Sequence, residues 1–312
     1  MRVLGWLLTG LAAAVACVLL WFKLVPAAQT WHELAIYTAT FIPYLWLPTL
    51  VVGLGLLLLL RRPWRLLGAV MLAAVLVLWG LPLVKLPAPR AEERAAPGIV
   101  VFSLNLQFGR ADVAEVMSHI KNSDADVVAF QEHTPDFEQR LREAGLLETH
   151  PHQVGSARTD AGGTKLFSRT PLEIVGQANT VFHNFVATTT IDGTTWHIGA
   201  IHSTPPQFGV DHWAADGVKV AQLAAEFNQE RLILVGDFNA IEEHFPMRLL
   251  KSAGMRPSSG NWVPTWPVGR RIPTFAHIDH CLVSSTVQGR DPAYLEVTGT
   301  DHRGFVAAAD AA

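Results

Sequence analysis

The chain begins with three long apolar runs, Val3–Phe22, Ala39–Leu60 and Leu66–Leu86. Each has roughly the 20 residues that an α-helix needs to cross the hydrocarbon core of a bilayer. Lys85 is the one charged residue inside these runs. The alternative for the first run is a cleaved signal peptide, but it is longer than the apolar part of most signal peptides and two further runs follow it. The sequence therefore predicts three transmembrane helices within residues 1–86.

Basic residues between the runs predict the orientation of these helices. Arg61, Arg62 and Arg65 form the densest basic cluster in the apolar region, and short cytoplasmic loops of membrane proteins carry an excess of Lys and Arg. With this turn in the cytoplasm, the third helix delivers the rest of the chain to the opposite side. We therefore expect a multi-pass protein of the cell membrane whose remaining part is extracytoplasmic.

Residues 87–97 contain three prolines and several charges, which is typical of a linker. Residues 98–312 are numerous enough to form one domain with a substantial core. Of the 24 basic and 27 acidic residues in the chain, 8 and 3 precede residue 98, which leaves 16 and 24 in the domain and a formal charge of −8. A surface of that sign repels polyanions, so nucleic acid is the less favoured substrate. Cys17 and Cys281 fall in different parts of the chain, so no internal disulfide is expected.

Apolar periodicity in the domain predicts strands mixed with helices. Strands are expected at 99–106, 126–130, 166–168, 186–191, 195–201, 232–235, 278–283, 295–298 and 305–308, and helices at 112–121, 136–146 and 213–227. Hairpin-type pairs alternate with helical crossovers, which favours stacked sheets with helices outside them.

The stretch LVGDFNA, residues 234–240, ends one of these strands with Asp237 and Asn239 two residues apart. One interpretation is a turn in which Asx side chains cap a core strand. The other is a functional pair, because alternate side chains of an extended chain share a face. Gly236 would let the backbone bend just before them.

Polar residues that can bind metals or phosphate occur at the ends of several other apolar strands. The complete set is Asn105, Glu132, His202, Asp237, Asn239, Asp279, Asp301 and His302. Each alone is explained by strand termination, solvation or a local hydrogen bond. Strand ends on one edge of a rigid scaffold can converge, however, so the whole set predicts one site.

At this point the sequence resembles the endonuclease/exonuclease/phosphatase superfamily of metal-dependent phosphoesterases. The stretches that carry the resemblance are SLNLQ (103–107), FQE (130–132), LFSRTPL (166–172), AIHSTPP (200–206), GDFNA (236–240), HIDHCLV (277–283) and TDHRGFV (300–306). They span the soluble domain in the order of the family. The resemblance implies an α/β (α+β) fold, a four-layer sandwich of two β-sheets flanked by helices, here preceded by three transmembrane helices.

The resemblance also implies roles for the eight residues. Glu132 resembles the main Mg²⁺ ligand, with Asn105 and Asp301 near the metal. Asp237 and Asn239 resemble the pair that orients water and phosphate, Asp279 and His302 the carboxylate–imidazole couple, and His202 the histidine that binds or protonates a phosphoryl oxygen. Oxygen ligands of this kind suit Mg²⁺, with Mn²⁺ as the alternative. Phosphoryl transfer itself depends mainly on charge compensation and positioned water.

Three positions depart from the pattern or lack a partner. Gln107 stands where some family nucleases have a further acidic residue, which leaves the number of metals open. Gly304 stands where the family often has proline after its terminal histidine. No carboxylate partner of His202 can be assigned. Arg169 is expected to pair with an internal acid rather than with phosphate.

The sequence leaves three functions open. The first is a membrane-anchored hydrolase of a phosphodiester or phosphomonoester, especially a lipid-linked one, outside the cytoplasm. The second is an exported nuclease, and the third is an inactive membrane interaction module. Trp262 and Trp266 precede the Asp279 strand and either belong to the core or form a rim that touches lipid.

Overall fold

The computed structural model describes residues 2–77, 98–260 and 262–312. The chain forms two compact units, Met1–Glu93 and Arg94–Ala312. The predicted linker, residues 87–97, lies outside the described residues.

The first unit is helical. Its helices are α1 (Arg2–Leu24), α2 (Glu33–Ala39), α3 (Trp46–Leu59) and α4 (Trp64–Val75), with 3-10 turns at Pro26–Trp31 and Ile42–Tyr44. Helix α3 packs against both α1 and α4. Glycines allow this close packing, because a Cβ at Gly55 would lie 2.1 Å from the Thr9 hydroxyl and one at Gly68 would lie 2.6 Å from the Gly53 carbonyl.

Two helical segments of this unit, rather than the predicted three, are long and apolar enough to cross a membrane among the described residues. They are Arg2–Leu24 and Ile42–Leu59. The second begins three residues later than predicted, since Pro43 lies in a 3-10 turn. The third predicted run is represented by α4, whose 12 residues are too few, and its residues 78–86 lie outside the described part.

The second unit contains two β-sheets. The strands are β1 (Gly98–Asn105), β2 (Val127–Gln131), β3 (His152–Ser156), β4 (Thr164–Ser168), β5 (Glu173–Ala178), β6 (Asn184–Ile191), β7 (Thr194–His202), β8 (Leu232–Asp237), β9 (Arg256–Pro257), β10 (Asp279–Val283), β11 (Val287–Gly289), β12 (Ala293–Glu296) and β13 (Arg303–Ala311). The helices are α5 (Val113–Ser123), α6 (Pro135–Glu143), α7 (Leu146–Thr149), α8 (Val210–Glu226) and α9 (Phe245–Ser252). One sheet has the order β11-β13-β1-β2-β4-β3, with β12 also on β13, and the other has the order β5-β6-β7-β8-β10-β9.

Hydrophobic packing arranges these elements in four layers. The main core joins apolar residues from the facing sides of both sheets, including Val101 and Ala129 from the first and Val235 from the second. A second core joins the outer face of the first sheet to α5, α6 and α7. Helix α8 contacts β5 and β6 on the second sheet, and α9 packs against α8. The predicted four-layer α/β sandwich is therefore confirmed.

Most predicted elements are present, with ends shifted by a few residues. The helix predicted at 136–146 ends early, at Glu143, because Gly145 adopts a left-handed φ of 85° and a separate short helix begins after it. Strands β3 and β5 were not predicted. Both lie at sheet edges, where partial exposure removes the apolar signal that marks a buried strand.

The central strands of the two sheets bring the predicted site together. Strands β1 and β2 run parallel, with Asn105 opposite Gln131, and β7 and β8 run parallel, with His202 opposite Asp237. Strand β10 runs antiparallel to β8, so its first residue, Asp279, also lies opposite Asp237. The carboxyl ends of both parallel pairs therefore lie at one edge of the sandwich.

Gly236 does not end its strand, as the sequence suggested, but lies inside β8 with a φ of 137°. A Cβ at this position would lie 1.9 Å from the Ile201 carbonyl oxygen of β7. Glycine is required here because the backbone conformation and the neighbouring strand both exclude a side chain. Asp237 follows while still in the strand and thus projects at a fixed position.

Gly236→Ala should lower the free energy of unfolding by about 3 kcal/mol or more, because it combines an unfavourable φ with a backbone clash. Gly193→Ala is the matched control, since Gly193 also has a left-handed φ, 75°, but has no heavy atom within 4 Å of an added Cβ. It should cost about 1 kcal/mol. Denaturant unfolding of the full chain in detergent measures both values, and equal losses would contradict the steric explanation.

Candidate active site

All eight predicted site residues lie in one connected cluster at the edge of the sandwich. Neighbours within the cluster are joined by side-chain distances between 3.0 and 3.9 Å. Six of the eight side chains belong to residues at or next to the end of a strand, and the other two, Asn239 and Asp301, lie two residues from one. Their proximity follows from the strand register, whereas their individual roles remain predictions.

Asn105 connects the two sheets. Its Nδ2 donates to Glu132 Oε1 at 3.3 Å and to Asp237 Oδ2 at 3.0 Å. Its Oδ1 accepts from the backbone N–H of Gln107 at 2.9 Å, which fixes the orientation of the amide. Asn105 is completely buried, so each of these polar atoms needs its partner.

Glu132 follows β2 in a left-handed conformation, with a φ of 52°. Its Oε2 accepts from the backbone N–H of Phe108 at 2.8 Å. Burial raises the pKa of Glu132, while the Phe108 and Asn105 hydrogen bonds lower it and the nearby Asp301 carboxylate raises it. A carboxylate in this environment gains from a cation placed between it and Asp301.

Asp237 and Asn239 satisfy both interpretations of the LVGDFNA stretch. Asp237 Oδ1 accepts from the backbone N–H of Asn239 at 2.8 Å, as in an Asx turn. Asp237 Oδ2 also lies 3.2 Å from Asn239 Nδ2, and that amide donates to the Ser203 carbonyl at 2.8 Å. The Asx turn therefore holds the Asp237 and Asn239 side chains beside each other.

His302 and Asp279 form a buried pair. His302 Nδ1 lies 3.1 Å from Asp279 Oδ2, which leaves Nε2 facing Asp237 Oδ2 and Asp301 Oδ1, each at 3.9 Å. Burial disfavours the imidazolium, but the carboxylates of Asp279, Asp237 and Asp301 outweigh this effect and raise the pKa of His302. The direction of this shift follows from the three acids that surround one ring.

His202 is held by its backbone rather than by a carboxylate. Asn184 Oδ1 accepts from the His202 N–H at 2.7 Å, and Asn184 Nδ2 donates to the His202 carbonyl at 3.0 Å. The Phe182 ring covers the imidazole at a centroid distance of 4.6 Å. Burial and the His302 charge lower the pKa of His202 to about 3. The ring is therefore neutral near pH 7 and can donate one hydrogen bond towards the site.

Asp301 points to the exposed side of the cluster. Its Oδ2 accepts from Arg270 Nη2 at 3.0 Å, and Arg270 is half exposed. Asp301, Glu132, Asp237 and Asp279 together bring four carboxyl groups to the cluster. The positive groups beside them are the imidazole of His302 and the guanidinium of Arg270. Such an excess of hard oxygen donors fits Mg²⁺ or Mn²⁺.

The tightest group of acidic and histidine atoms differs from the ligand set expected from sequence. Ligand atoms of Asp237, Asp279 and His302 all lie within 4.8 Å of one another. The Asp279–His302 hydrogen bond already accounts for this closeness. Glu132 and Asp301 offer only oxygen atoms, which suit a hard cation better than an imidazole does. Asn105, the third predicted ligand, turns its Nδ2 towards Glu132 and its Oδ1 towards the Gln107 N–H.

The two tryptophans have different environments. Trp262 is 40% exposed. Trp266 packs against a small core of Ile241, Ala276 and Ile278. Of the two tryptophans, only Trp262 is exposed enough to belong to a rim that touches lipid.

Arg169 pairs with Asp124, an exposed acid on the surface rather than the internal acid that was expected.

Four residues that support the site were not assigned from sequence. Thr265 Oγ1 accepts from the Asp279 N–H, Thr300 Oγ1 donates to the Asn105 carbonyl and accepts from the His302 N–H, Asn184 holds His202, and Arg270 pairs with Asp301. Thr300 lies inside the TDH motif and could have been found there. The others lie on segments far from the motifs in sequence, so periodicity gives no signal for them.

The Endonuclease/Exonuclease/phosphatase family model matches residues 102–302. A protein of that family from Bacteroides thetaiotaomicron has a similar structure, with 18% identity and a TM-score of 0.52 over 68% of this chain and 97% of that one. D. rerio TDP2 in complex with a single-strand DNA product is 16% identical, with a TM-score of 0.51 over 69% and 99%. A Bacteroides thetaiotaomicron mannosyl-6-phosphatase is 18% identical, with a TM-score of 0.51 over 69% and 99%. No curated protein sequence matches the chain.

Asn184→Ala should weaken the strand end that carries His202, because it leaves a buried N–H and a buried C=O without partners. We expect a loss of about 2 kcal/mol or more in unfolding free energy, and faster hydrogen exchange at the His202 amide. Asn228→Ala is the control, since Asn228 donates to the Ala253 carbonyl and accepts from Gln229 Nε2, both away from the site. Unchanged exchange at residue 202 in Asn184→Ala would contradict the supporting role.

Proposed function

Because the chain belongs to the Endonuclease/Exonuclease/phosphatase family, whose members hydrolyse phosphoester bonds, we propose that it is a membrane-anchored phosphoesterase. It uses a divalent cation, Mg²⁺ or Mn²⁺, and acts outside the cytoplasm on a lipid-linked phosphodiester or phosphomonoester. The observation that carries the proposal is the single cluster in which Asn105 joins Glu132 to Asp237 and Asp237 faces both histidines.

Each side chain in the cluster has an assigned task. Glu132 and Asp301, with Asn105, would hold the cation, which supplies charge compensation at the phosphoryl oxygens. Asp237 accepts a hydrogen bond from the attacking water, and Asn239 orients the phosphate. His302, kept protonated by Asp279, donates from Nε2 to the charge that develops in the transition state. His202, being neutral, donates a single hydrogen bond to a phosphoryl oxygen.

Hydrolysis of a chromogenic phosphoester by the purified full chain should require a divalent cation. A chelator should abolish turnover because the four facing carboxylates would then repel an anionic substrate, and added Mg²⁺ or Mn²⁺ should restore it. Full turnover in excess chelator would reject the cation. No turnover under any condition would favour the inactive interaction module instead.

Asp237→Asn and His302→Ala should each lower kcat by at least about 100-fold, the usual scale for removing a positioned acid–base group. Asp192→Asn is the control, because Asp192 occupies the exposed turn between β6 and β7 at the opposite end of β7 from His202. Circular dichroism should show that all three variants are folded. A folded Asp237→Asn protein with near-normal kcat would remove Asp237 from the mechanism.

Membrane anchoring is supported by the first unit. The two candidate spans are each only 11% buried, so apolar side chains cover their outside, as lipid contact requires. The orientation rests on the Arg61–Arg65 turn, whose positive charges favour the cytoplasm. An odd number of spans, as in the predicted set of three, puts residues 98–312 on the outer side in this proposal.

A periplasm-active reporter fused after Ala312 should therefore be active, and a cytoplasm-dependent reporter at the same position should be silent. A fusion in the Arg61–Arg65 turn should give the reverse pattern. Activity of the cytoplasmic reporter after Ala312 would overturn the orientation, and two spans instead of three would be the structural reason.

A lipid-linked substrate is supported by exposed aromatic side chains beside the cluster. Phe108, whose N–H binds Glu132, is 48% exposed. Phe208 is 53% exposed and contacts Phe182, which covers His202. Trp262 lies three residues before Thr265, which binds the Asp279 backbone. A polar centre with an apolar rim fits a phosphate attached to an apolar chain.

The enzyme should hydrolyse a lipid phosphoester in mixed micelles faster than duplex DNA at physiological salt, since the domain carries a formal charge of −8. Phe208→Ser should raise KM for the lipid more than for a short-chain soluble ester. Trp266→Phe is the control, because Trp266 packs inside and should affect both substrates equally. Rapid DNA cleavage without lipid hydrolysis would support the exported nuclease.

A further inference from the structure

Arg270 is the one Arg or Lys side chain within 4.0 Å of a predicted site carboxylate in the part of the chain that the structure describes. Its Nη2 lies 3.0 Å from Asp301 Oδ2. The other basic groups at the cluster are the two histidines, of which His202 is neutral. An anionic substrate that approaches four carboxylates needs more positive charge than His302 provides.

The loop that carries Arg270 is fixed at its base and exposed at its tip. Its base is held by the Trp266–Ala276 bridge and by a hydrogen bond from the Val268 N–H to the Asp301 carbonyl at 2.8 Å. Residues 269–273 at the tip are all exposed. The guanidinium can therefore change its partner while the backbone beside Asp301 stays in place.

The contact between Arg270 and Asp301 competes with the use of Asp301 as a cation ligand. Asp301 Oδ2 is occupied by the guanidinium, and Oδ1 lies 3.9 Å from His302 Nε2. Arg270 is 52% exposed in this pair, and ion pairs of this kind are weak. A cation at Asp301 therefore displaces the guanidinium easily and leaves it beside the reaction centre.

We propose that Arg270 is a phosphate-binding residue that exchanges Asp301 for a non-bridging phosphoryl oxygen when the cation is bound. The inference rests on the proposed function and adds a substrate contact to it. A guanidinium presents parallel N–H donors that match two oxygens of a phosphate, whereas its contact with Asp301 uses Nη2 alone. Arg270 thus balances the charge of Asp301 when no cation is bound, and it binds the phosphate of the substrate when the cation is bound.

The test compares Arg270→Met with Arg271→Met in the full chain. Arg271 is the neighbouring loop residue, also exposed, with no ion pair within 4.0 Å among the described residues. Calorimetry gives the affinity for Mn²⁺ alone, and then the affinity of the Mn²⁺-loaded protein for inorganic phosphate. Arg270→Met should bind phosphate about tenfold or more weakly and Mn²⁺ as tightly as the wild type or more tightly. Arg270→Lys should recover only part of the phosphate affinity.

Weaker binding of phosphate together with unchanged or tighter binding of Mn²⁺ identifies the exchange, because a loosened loop would weaken the binding of both ligands. Arg270→Met that binds phosphate like the wild type, or Arg271→Met that loses as much, would overturn this inference alone. A loss of Mn²⁺ affinity in Arg270→Met would overturn it as well, since the guanidinium would then support the cation. Wild-type protein that binds neither Mn²⁺ nor phosphate would reject the proposed function itself.

Discussion

The candidate site depends on one buried amide. Asn105 ends the first strand of one sheet, and its Nδ2 reaches a carboxylate of its own sheet and one of the opposite sheet. Two facing sheets can slide or splay with little change in apolar contact, so hydrophobic packing alone does not fix their edges to within hydrogen-bonding distance. A completely buried amide with defined donors and acceptors does fix the two sheet edges, because any shift of one sheet against the other leaves a polar atom of the amide without a partner. The backbone contact from Gln107 prevents the amide from turning.

Electrostatics in the cluster follow from the same geometry. Three acids gathered around one imidazole raise the pKa of His302, and burial with a neighbouring positive charge lowers that of His202. The two histidines thus differ in charge, because Asp237 lies 3.9 Å from both rings whereas Asp279 and Asp301 lie beside His302. Asp279 beside its ring raises the pKa of His302, whereas burial is the main cause of the low pKa of His202.

Sequence reasoning identified the layers of the fold and all eight clustered residues, because buried strands and their polar ends leave a pattern along the chain. It did not identify β3 or β5, whose exposed edges lack that pattern, nor Asn184, Thr265 and Arg270, whose partners are distant in sequence. It assigned Gly236 to a bend, whereas the structure shows a strand residue next to the Ile201 carbonyl. The third apolar run stays a prediction, since the described part of the first unit stops at residue 77, two residues beyond α4.

The site draws on both ends of the second unit, and this has a consequence for how the protein matures. Asn105 closes β1, and His302 immediately precedes β13, which pairs with β1 along most of its length. A chain emerging from the ribosome can form the helices and the second sheet early, but it has no site until residue 302 has been added and β13 has docked beside β1. Loss of β1 or of residues 302–311 therefore removes a clustered residue, so the complete cluster requires both ends of the second unit.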